Sequence, residues 1–248
     1  MKFIQITDLH IDQAGECPFG IDVRKNFLEV LEAIMVEQPD QLIVSGDLCY
    51  RDGDEKIYRW IKAQLDELPF PYEVIPGNHD DSLLMAEVFD LTHLVNDNEL
   101  YFAKKWGKEP CLFLDSAVGK LSKNQLKWLK RQLKICQTNL LLFMHHPPFV
   151  AGVPYMDNNH AFHNMEKIQA LFDEFSNQIS IFTGHYHVEK TLVHNNVTLM
   201  ITPSCFFQIG QSLEEFSVDH HQIAFRIIEV EKGILSSTVR YLPGNKIS

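Results

Sequence analysis

The chain lacks the features of a membrane-inserted or disulfide-built protein. No apolar run approaches the roughly 20 residues of a membrane-spanning helix, and the first residues do not form a secretory signal. The five cysteines are odd in number and show no C-x-x-C spacing, which argues against a disulfide framework or a structural zinc site. We therefore expect a cytoplasmic protein in a reducing compartment, with no membrane partner.

Basic residues are also scarce. The 248 residues include 22 Lys and Arg against 33 Asp and Glu, a formal net charge of −11. Nonspecific nucleic-acid binders carry a basic face, so a nucleic-acid duplex is not expected as a partner. An anionic substrate would instead need local positive charge, which bound metal ions supply.

Linkers, repeats and low-complexity tracts are missing, which favours a single domain over residues 1–248. Apolar runs predict strands at 2–6, 41–45, 72–75, 100–102, 111–115, 140–144 and 179–183. Helical periodicity predicts helices at 23–37, 54–67, 122–134 and 164–175, and a short helix after Asp81. From about residue 188 the pattern is strands alone, at 190–194, 197–201, 223–230 and 235–241. We expect two packed sheets with helices outside, the C-terminal β-rich portion completing the second sheet.

Five polar motifs follow the predicted strands, at the edge where open α/β sheets bind ligands. They are Asp8-Leu9-His10, Gly46-Asp47, Gly77-Asn78-His79-Asp80, His145-His146-Pro147-Pro148 and Gly184-His185-Tyr186-His187. Each alone also fits a surface turn, a helix cap or a core histidine. Their order and their common position after apolar runs favour one shared site.

The motifs contain seven side chains suited to metal coordination: Asp8, His10, Asp47, Asn78, His145, His185 and His187. Residues two apart on an extended chain point the same way, so Asp8 and His10 can face one ion. Imidazoles mixed with carboxylate and amide oxygens suit zinc, iron, manganese or cobalt better than calcium. Seven ligands are too many for one tetrahedral ion, and we predict two metal ions per chain, bridged by Asp47.

His79 remains as a free imidazole beside the predicted metals. We expect it to hydrogen-bond the phosphoryl oxygen or to protonate the leaving oxygen. Asp80 is predicted either to orient His79 as a catalytic partner or to cap the next helix. Two ions about 3.5–4 Å apart clamp an in-line displacement and generate hydroxide from bound water. The predicted reaction is attack of metal-bound hydroxide on the phosphorus of a phosphoester.

These blocks resemble the calcineurin-like metallophosphoesterase superfamily, with D-x-H, G-D, G-N-H-[DE], H and G-H-x-H in order. The chain looks most similar to class III cyclic nucleotide phosphodiesterases and related bacterial glycerophosphodiesterases. The resemblance implies an α/β fold, a four-layer α/β/β/α sandwich of two mixed β-sheets flanked by helices. It also implies iron, manganese or zinc ions in two sites. One would be held by Asp8, His10, Asp47 and His187, the other by Asp47, Asn78, His145 and His185.

The resemblance further implies which residues meet the substrate, a small phosphodiester. The expected substrate-binding residues are His10, Asn78, His79, His146 and His187, with His146 behind the metal ligand His145. The foremost candidate substrate is a 3′,5′-cyclic nucleotide, and a glycerophosphodiester or a phosphomonoester is the alternative. A DNA exonuclease and a non-catalytic metal-binding scaffold are less favoured, and a homo-oligomer stays open.

Two regions between the motifs bear on substrate choice. Tyr50 has the spacing of an iron-binding tyrosine in purple acid phosphatases, but His10 already fills that place. Arg51 has the place of a phosphate-binding arginine in protein phosphatases, although a surface or salt-bridged role is favoured because the rest of that motif is absent. The predicted loop 149–164 is expected to line the pocket with Tyr155, Asp157, His160 and His163.

Overall fold

The computed structural model of the protein describes residues 1–247. Its helices are α1 (Val23–Glu37), α2 (Glu55–Leu65), α3 (Ser82–Val88), α4 (Lys123–Ile135), α5 (Pro154–Asn159) and α6 (Met165–Asp173), with 3-10 turns at Pro18–Gly20 and Thr92–Leu94. The strands are β1 (Lys2–Ile6), β2 (Gln41–Ser45), β3 (Tyr72–Ile75), β4 (Val95–Asn96), β5 (Glu99–Leu100), β6 (Phe102–Trp106), β7 (Glu109–Phe113), β8 (Leu140–Phe143), β9 (Ile179–Thr183), β10 (Lys190–His194), β11 (Val197–Ile201), β12 (Gln208–Ile209), β13 (Val218–His220), β14 (Ile223–Glu231) and β15 (Ile234–Leu242). No helix in this range is long and apolar enough to cross a bilayer.

Two mixed sheets form the centre of the fold. The first has the strand order β15-β14-β1-β2-β3 and the second β10-β11-β9-β8-β7-β6. In the first sheet β1, β2 and β3 are parallel, with β14 and β15 antiparallel at one edge; in the second β7, β8, β9 and β11 are parallel, with β6 and β10 antiparallel at the two edges. Helix α1 packs on β14, and α4 packs beside α6. The predicted four-layer α/β/β/α sandwich is confirmed.

The sheets meet face to face over a core of apolar side chains. Both β2 and β8 are buried along their whole length, as expected for parallel strands that are covered on both faces. Phe113, Phe143 and Phe182 stack on neighbouring strands with successive ring centroids 5.2 Å apart. Gln5 joins the two sheets, donating from Nε2 to Ser45 Oγ at 2.7 Å and to the carbonyl of Thr183 at 3.3 Å.

The C-terminal strands divide between the sheets. Strands β10 and β11 extend the second sheet, whereas β14 and β15 extend the first. The predicted assignment of the whole tail to the second sheet therefore differs from the structure. Without β14, the buried strand β1 would be an edge strand with unpaired backbone groups. The apolar β14 pairs with it in antiparallel register, Ile4 opposite Ile227.

The predicted elements match the long helices and buried strands to within about two residues. Ser122 caps α4 as its spacing to Gln125 predicts, since Ser122 Oγ accepts a hydrogen bond from Gln125 N at 3.1 Å. Asn195 and Asn196 form the predicted turn between β10 and β11. The short elements β4, β12, β13 and α5 were not predicted, because two to six residues carry too little periodicity.

Candidate metal centre

The five motifs come together at one edge of the two sheets. They follow the carboxyl ends of β1, β2, β3, β8 and β9. Backbone hydrogen bonds link the loops: Asp8 N donates to Gly46 O and His10 N to Asp47 O, both at 3.0 Å. The structure thus brings to one place side chains that are separated by up to 179 residues in the chain, counted from Asp8 to His187.

The backbone at the site is unusual. Five of the seven predicted ligands have a left-handed conformation: Asp8 (φ 55°), His10 (φ 47°), Asp47 (φ 52°), His185 (φ 66°) and His187 (φ 50°). Residues other than glycine rarely adopt this left-handed backbone conformation, and such backbone strain is concentrated at functional sites. The motifs are therefore turns and not the extended segments that the i, i+2 argument assumed. Gly77 permits the close approach of its loop, since a Cβ there would overlap Asp47.

Ligand-type atoms converge in three overlapping groups whose members lie within 4.8 Å of one another. The groups are Asp8, His10 and His187; His10, Asp47 and His79; and Asp47, His145 and His185. His145 Nε2 lies 3.2 Å from Asp47 Oδ2, and His187 Nε2 lies 3.3 Å from Asp8 Oδ1. Asp47 belongs to the second and third groups, and the second shares His10 with the first; this is the position that a bridging carboxylate would need.

Backbone carbonyls orient three of the imidazoles. His145 Nδ1 donates to Ser45 O at 2.9 Å, His187 Nδ1 to Phe207 O at 3.0 Å, and His185 Nε2 to His160 O at 2.9 Å. Because a carbonyl can only accept, each of these nitrogens carries the proton. In the neutral ring the second nitrogen then has the lone pair, which is the form that binds a metal ion.

Several buried imidazole nitrogens lack a complementary hydrogen-bond partner, and a metal ion would accept their lone pairs instead. Nε2 of His10 and Nε2 of His187 face each other at 3.0 Å. Within residues 1–247, His145 Nε2 and His10 Nδ1 are buried without a hydrogen bond, although a carboxylate lies near the former. Buried polar atoms are usually satisfied. The imidazole and carboxylate donors fit divalent transition metals.

Electrostatics favour the metal-binding form of His10, His185 and Asp47, whereas His145 is favoured in its charged form. Burial lowers the pKa of His10 and the pKa of His185 to about 3, against the attraction of Asp47. Burial also opposes charge on His145, but Asp47 and Asp8 outweigh it and raise the pKa of His145 to about 9. Burial favours a protonated Asp47, yet His145 holds the pKa of Asp47 well below its usual value. The centre therefore favours positive charge next to Asp47.

His79 and Asn78 lie at the mouth of the centre. His79 N donates to Asp47 Oδ1 at 2.9 Å, and its ring Nδ1 donates to the carbonyl of Arg51 at 2.8 Å. His79 Nε2 has no hydrogen-bond partner among residues 1–247, and the residue lines the cavity above the centre. Asn78 is exposed and lines the same cavity.

Asp80 takes neither of its two predicted roles. Its carboxylate accepts hydrogen bonds from Gly77 N at 2.9 Å, Leu48 N at 3.1 Å and Tyr58 OH at 3.0 Å. The helix α3 is capped by Asp81 instead, which accepts from the backbone of Leu83 and Leu84. The Asp80 carboxylate accepts from backbone N–H groups and so connects the loops after β2 and β3. The ring of His79 is hydrogen-bonded to the carbonyl of Arg51 instead.

His146 also differs from its predicted contact with substrate. It is 3% exposed and does not line the cavity. Its Nδ1 lies 3.0 Å from Ser116 Oγ, and its ring packs 4.1 Å from that of His185. The strand direction turns His146 into the protein, behind the metal-ligand set, as the resemblance implied for this residue.

The cavity above the centre has a volume of about 670 Å³. It is lined by His10, Phe19, Asp47, Tyr50, Arg51, Asp52, Asn78, His79, Tyr155, Met156, His160, His185, His187, Phe206, Phe207, Ile209 and Phe216. Tyr155 and His160 line it as predicted for the 149–164 segment, whereas Asp157 and His163 do not. Arg51 is 76% exposed and lies 3.9 Å from Asp12, which is the salt-bridged role that was favoured.

Some site residues could not be found from the sequence. The carbonyls of Ser45, His160 and Phe207 orient imidazoles, but every residue has a carbonyl and no side-chain pattern marks these three. The phenylalanines at 19, 206, 207 and 216 lie in loops outside the periodic segments. The adjacent pair Phe206-Phe207 after Thr202-Pro203-Ser204 was the available signal.

A family model described as calcineurin-like phosphoesterase matches residues 1–189. The chain belongs to the calcineurin-like phosphoesterase family. The match covers all five motifs, and the predicted membership is confirmed. Members of this family are metal-dependent hydrolases with a dinuclear metal centre, and the predicted enzyme class is confirmed with it.

Relatives in the family extend over nearly the whole chain. A probable cyclic nucleotide phosphodiesterase of Fibrobacter succinogenes is 33% identical, covering 97% of this chain and 94% of the relative. The 3′,5′-cyclic adenosine monophosphate phosphodiesterase CpdA of Escherichia coli is 29% identical, covering 98% and 90%. A probable glycerophosphodiester phosphodiesterase GpdQ of Arcobacter nitrofigilis is 26% identical, covering 96% and 92%.

Solved structures of the family share the fold. A dimetal phosphatase from Danio rerio covers 100% of this chain, and the chain covers 98% of it, with a TM-score of 0.76 at 13% identity. A purple acid phosphatase from yellow lupin matches 97% of this chain over 51% of its own, with a TM-score of 0.69 at 16% identity. At these identities the likeness concerns the fold alone.

Proposed function

We propose that the chain is a two-metal phosphodiesterase that hydrolyses small phosphodiesters, foremost 3′,5′-cyclic nucleotides. The observation that carries the proposal is the convergence of six ligand-type His and Asp side chains with His79 beside one cavity. Phosphoester hydrolysis needs a concentrated positive charge near an activated water and a proton donor for the leaving oxygen. The residues at this edge of the sheets supply the parts that the protein must provide.

Two divalent ions would divide the seven ligands. Asp8, His10, Asp47 and His187 would hold one, and Asp47, Asn78, His145 and His185 would hold the other. When bound, such ions neutralise the phosphate and lower the pKa of water toward about 7. Iron, manganese and zinc all suit this mixture of imidazole and oxygen ligands.

His79 is proposed as the general acid. Its Nδ1 is fixed on the carbonyl of Arg51, so the ring presents Nε2 to the cavity with a defined direction. A proton held at Nε2 can pass to the leaving oxygen as the P–O bond breaks. Asn78, His10 and His187 line the same cavity and would position the phosphate.

The relatives and the cavity support the substrate class. The Fibrobacter and Escherichia relatives are named for cyclic nucleotides, and a volume of about 670 Å³ lies in the range of small-molecule sites, about 300–1,000 Å³. The similarity to GpdQ proteins keeps glycerophosphodiesters as the second candidate.

A substrate panel on protein loaded with Mn²⁺, Fe²⁺ or Zn²⁺ tests the proposal. We expect turnover of 3′,5′-cyclic AMP and of bis(p-nitrophenyl) phosphate to exceed that of 5′-AMP and p-nitrophenyl phosphate. A strong preference for the monoesters would overturn it. Asp47→Ala and Asn78→Ala should lose metal and nearly all activity, whereas the exposed control Lys25→Ala should retain both.

The role of His79 is tested separately. His79→Ala should keep its metal content and lower kcat by about 10²–10⁴-fold, the usual contribution of a general acid. Wild-type turnover in this variant would remove His79 from the mechanism while leaving the metal sites intact.

A further inference from the structure

The cavity has an aromatic side that the chemistry at phosphorus does not use. Phe206 and Phe207 line it with ring centroids 4.3 Å apart, and the Phe206 ring lies 5.3 Å from that of His10. Phe19 and Phe216 continue the surface outward, 5.1 Å and 6.1 Å from Phe207. We call these four residues the phenylalanine wall.

Two members of the wall leave much of their rings uncovered. Phe19 is 54% exposed and Phe216 is 41% exposed, while Phe206 and Phe207 are buried. Large aromatic surface inside a concave site with polar neighbours is typical of a ligand contact. Phe19 is also held at φ 55°, a conformation that bulky side chains rarely adopt. The fold keeps this ring at the cavity against its backbone preference.

Polar side chains line the same cavity. They include Asn78, His79 and Arg51, and the ring of the candidate ligand His10 lies 5.0 Å from that of His79 and 5.3 Å from that of Phe206. A ligand that contacts both the candidate centre and the phenylalanine wall must therefore carry a flat apolar group close to its phosphoester. A cyclic nucleotide has both in one compact molecule, whereas a glycerophosphodiester of a simple alcohol has no ring.

We propose that the phenylalanine wall stacks on the nucleobase of a cyclic nucleotide and so selects nucleotides over diesters of simple alcohols. The inference rests on the proposed function and names the residues that set its substrate class. Nucleobases stack on aromatic side chains through their flat faces, and this contact depends little on which base is present. The wall therefore favours nucleotides as a group and is expected to accept both adenine and guanine.

The test compares Phe216→Ala with Phe216→Tyr, which keeps the ring, and with Ile234→Ala, an exposed apolar residue at the start of β15. Substrates are 3′,5′-cyclic AMP and sn-glycero-3-phosphoethanolamine, which has no ring. Phe216→Ala should raise KM for cyclic AMP by about tenfold, as expected for loss of one stacking contact. Its kcat/KM for the glycerol diester should stay at the wild-type value, and Phe216→Tyr should restore KM.

Calorimetric titration with 5′-AMP gives a readout that does not depend on turnover. Phe216→Ala should weaken 5′-AMP binding by a similar factor, with Ile234→Ala unchanged. Equal losses of kcat/KM on both diesters, or no change on either, would contradict the proposed role of the phenylalanine wall. A wild-type enzyme that hydrolyses the glycerol diester but neither hydrolyses cyclic AMP nor binds 5′-AMP would also overturn it, while the phosphodiesterase function stands. If no diester is hydrolysed, the proposed function fails, and the titration alone decides whether the wall binds nucleotides.

Discussion

At the scale of single residues, Asp80 acts on the candidate centre through the backbone. Its carboxylate holds the N–H groups of Leu48 and Gly77, which flank Asp47 and Asn78 in the chain. The hydroxyl of Tyr58 completes this set. One buried carboxylate thus fixes the distance between two loops that each carry a proposed metal ligand.

Asp80→Asn should therefore disturb the geometry of the candidate centre, although Asp80 itself takes no part in the reaction. The amide places a donor against backbone N–H groups, so we expect a loss of about 1–3 kcal/mol in the free energy of unfolding, together with lower kcat. Urea unfolding and the pH dependence of kcat measure the two effects. Tyr58→Phe, which removes the bond to Asp80 and the bond from Asp81 N but keeps the backbone bonds of Asp80, should lose about 1–3 kcal/mol. A stable Asp80→Asn variant with a changed pH profile would instead make Asp80 a catalytic acid or base.

The sequence predicted the seven ligand-type residues because their side chains carry the chemistry. Spacing alone could not reveal the left-handed backbone at Asp8 or His185, since turns and strand ends look alike in a short polar motif. It also could not show that Asp80 faces a neighbouring loop. Such contacts depend on tertiary packing and not on local pattern.

At the scale of elements, the short helix α5 supports the centre from one side. Asp157 on α5 accepts from Ala151 N, Val153 N and Tyr186 OH at 2.8–3.0 Å. The helix ends at Asn159, and the carbonyl of the next residue, His160, accepts from His185 Nε2. Six residues beginning at Pro154 are too few to show helical periodicity, so the sequence predicts a loop here.

Asp157→Ala should lower metal affinity, although Asp157 does not approach the centre. Without its three bonds, α5 holds the carbonyl of His160 less firmly, and His185 loses its fixed orientation. Loss of such outer partners costs about 10–100-fold in metal affinity. Mn²⁺ titration followed by metal analysis measures the change. Asn159→Ala on the same helix, which removes one exposed bond to Tyr155, should leave the affinity unchanged, and equal effects in both variants would contradict this account.

At the scale of the whole molecule, the fold of this acidic chain buries two carboxylates at the edge of its two sheets. Asp8 and Asp47 are at most 2% exposed, and unpaired buried charge is costly. The fold class followed from the alternation of strands and helices, because buried strands such as β2 and β8 are unbroken apolar runs. The sheet to which β14 belongs could not be predicted, since the apolar pattern of a strand does not identify the strand with which it pairs.

Metal binding should therefore stabilise the folded chain as a whole. At a free metal concentration of about 100 times Kd, binding to the native state adds about 2.7 kcal/mol. For a chain of this length, each kcal/mol raises Tm by roughly 2–4 °C, so Mn²⁺ should raise Tm by roughly 5–10 °C over protein treated with EDTA. Scanning calorimetry of both samples measures the shift. Asp47→Asn should abolish most of it, because the proposed bridge is lost, whereas Glu231→Gln, 80% exposed in its side chain, should keep it. A shift of equal size in Asp47→Asn would show that the ions bind elsewhere on the acidic surface.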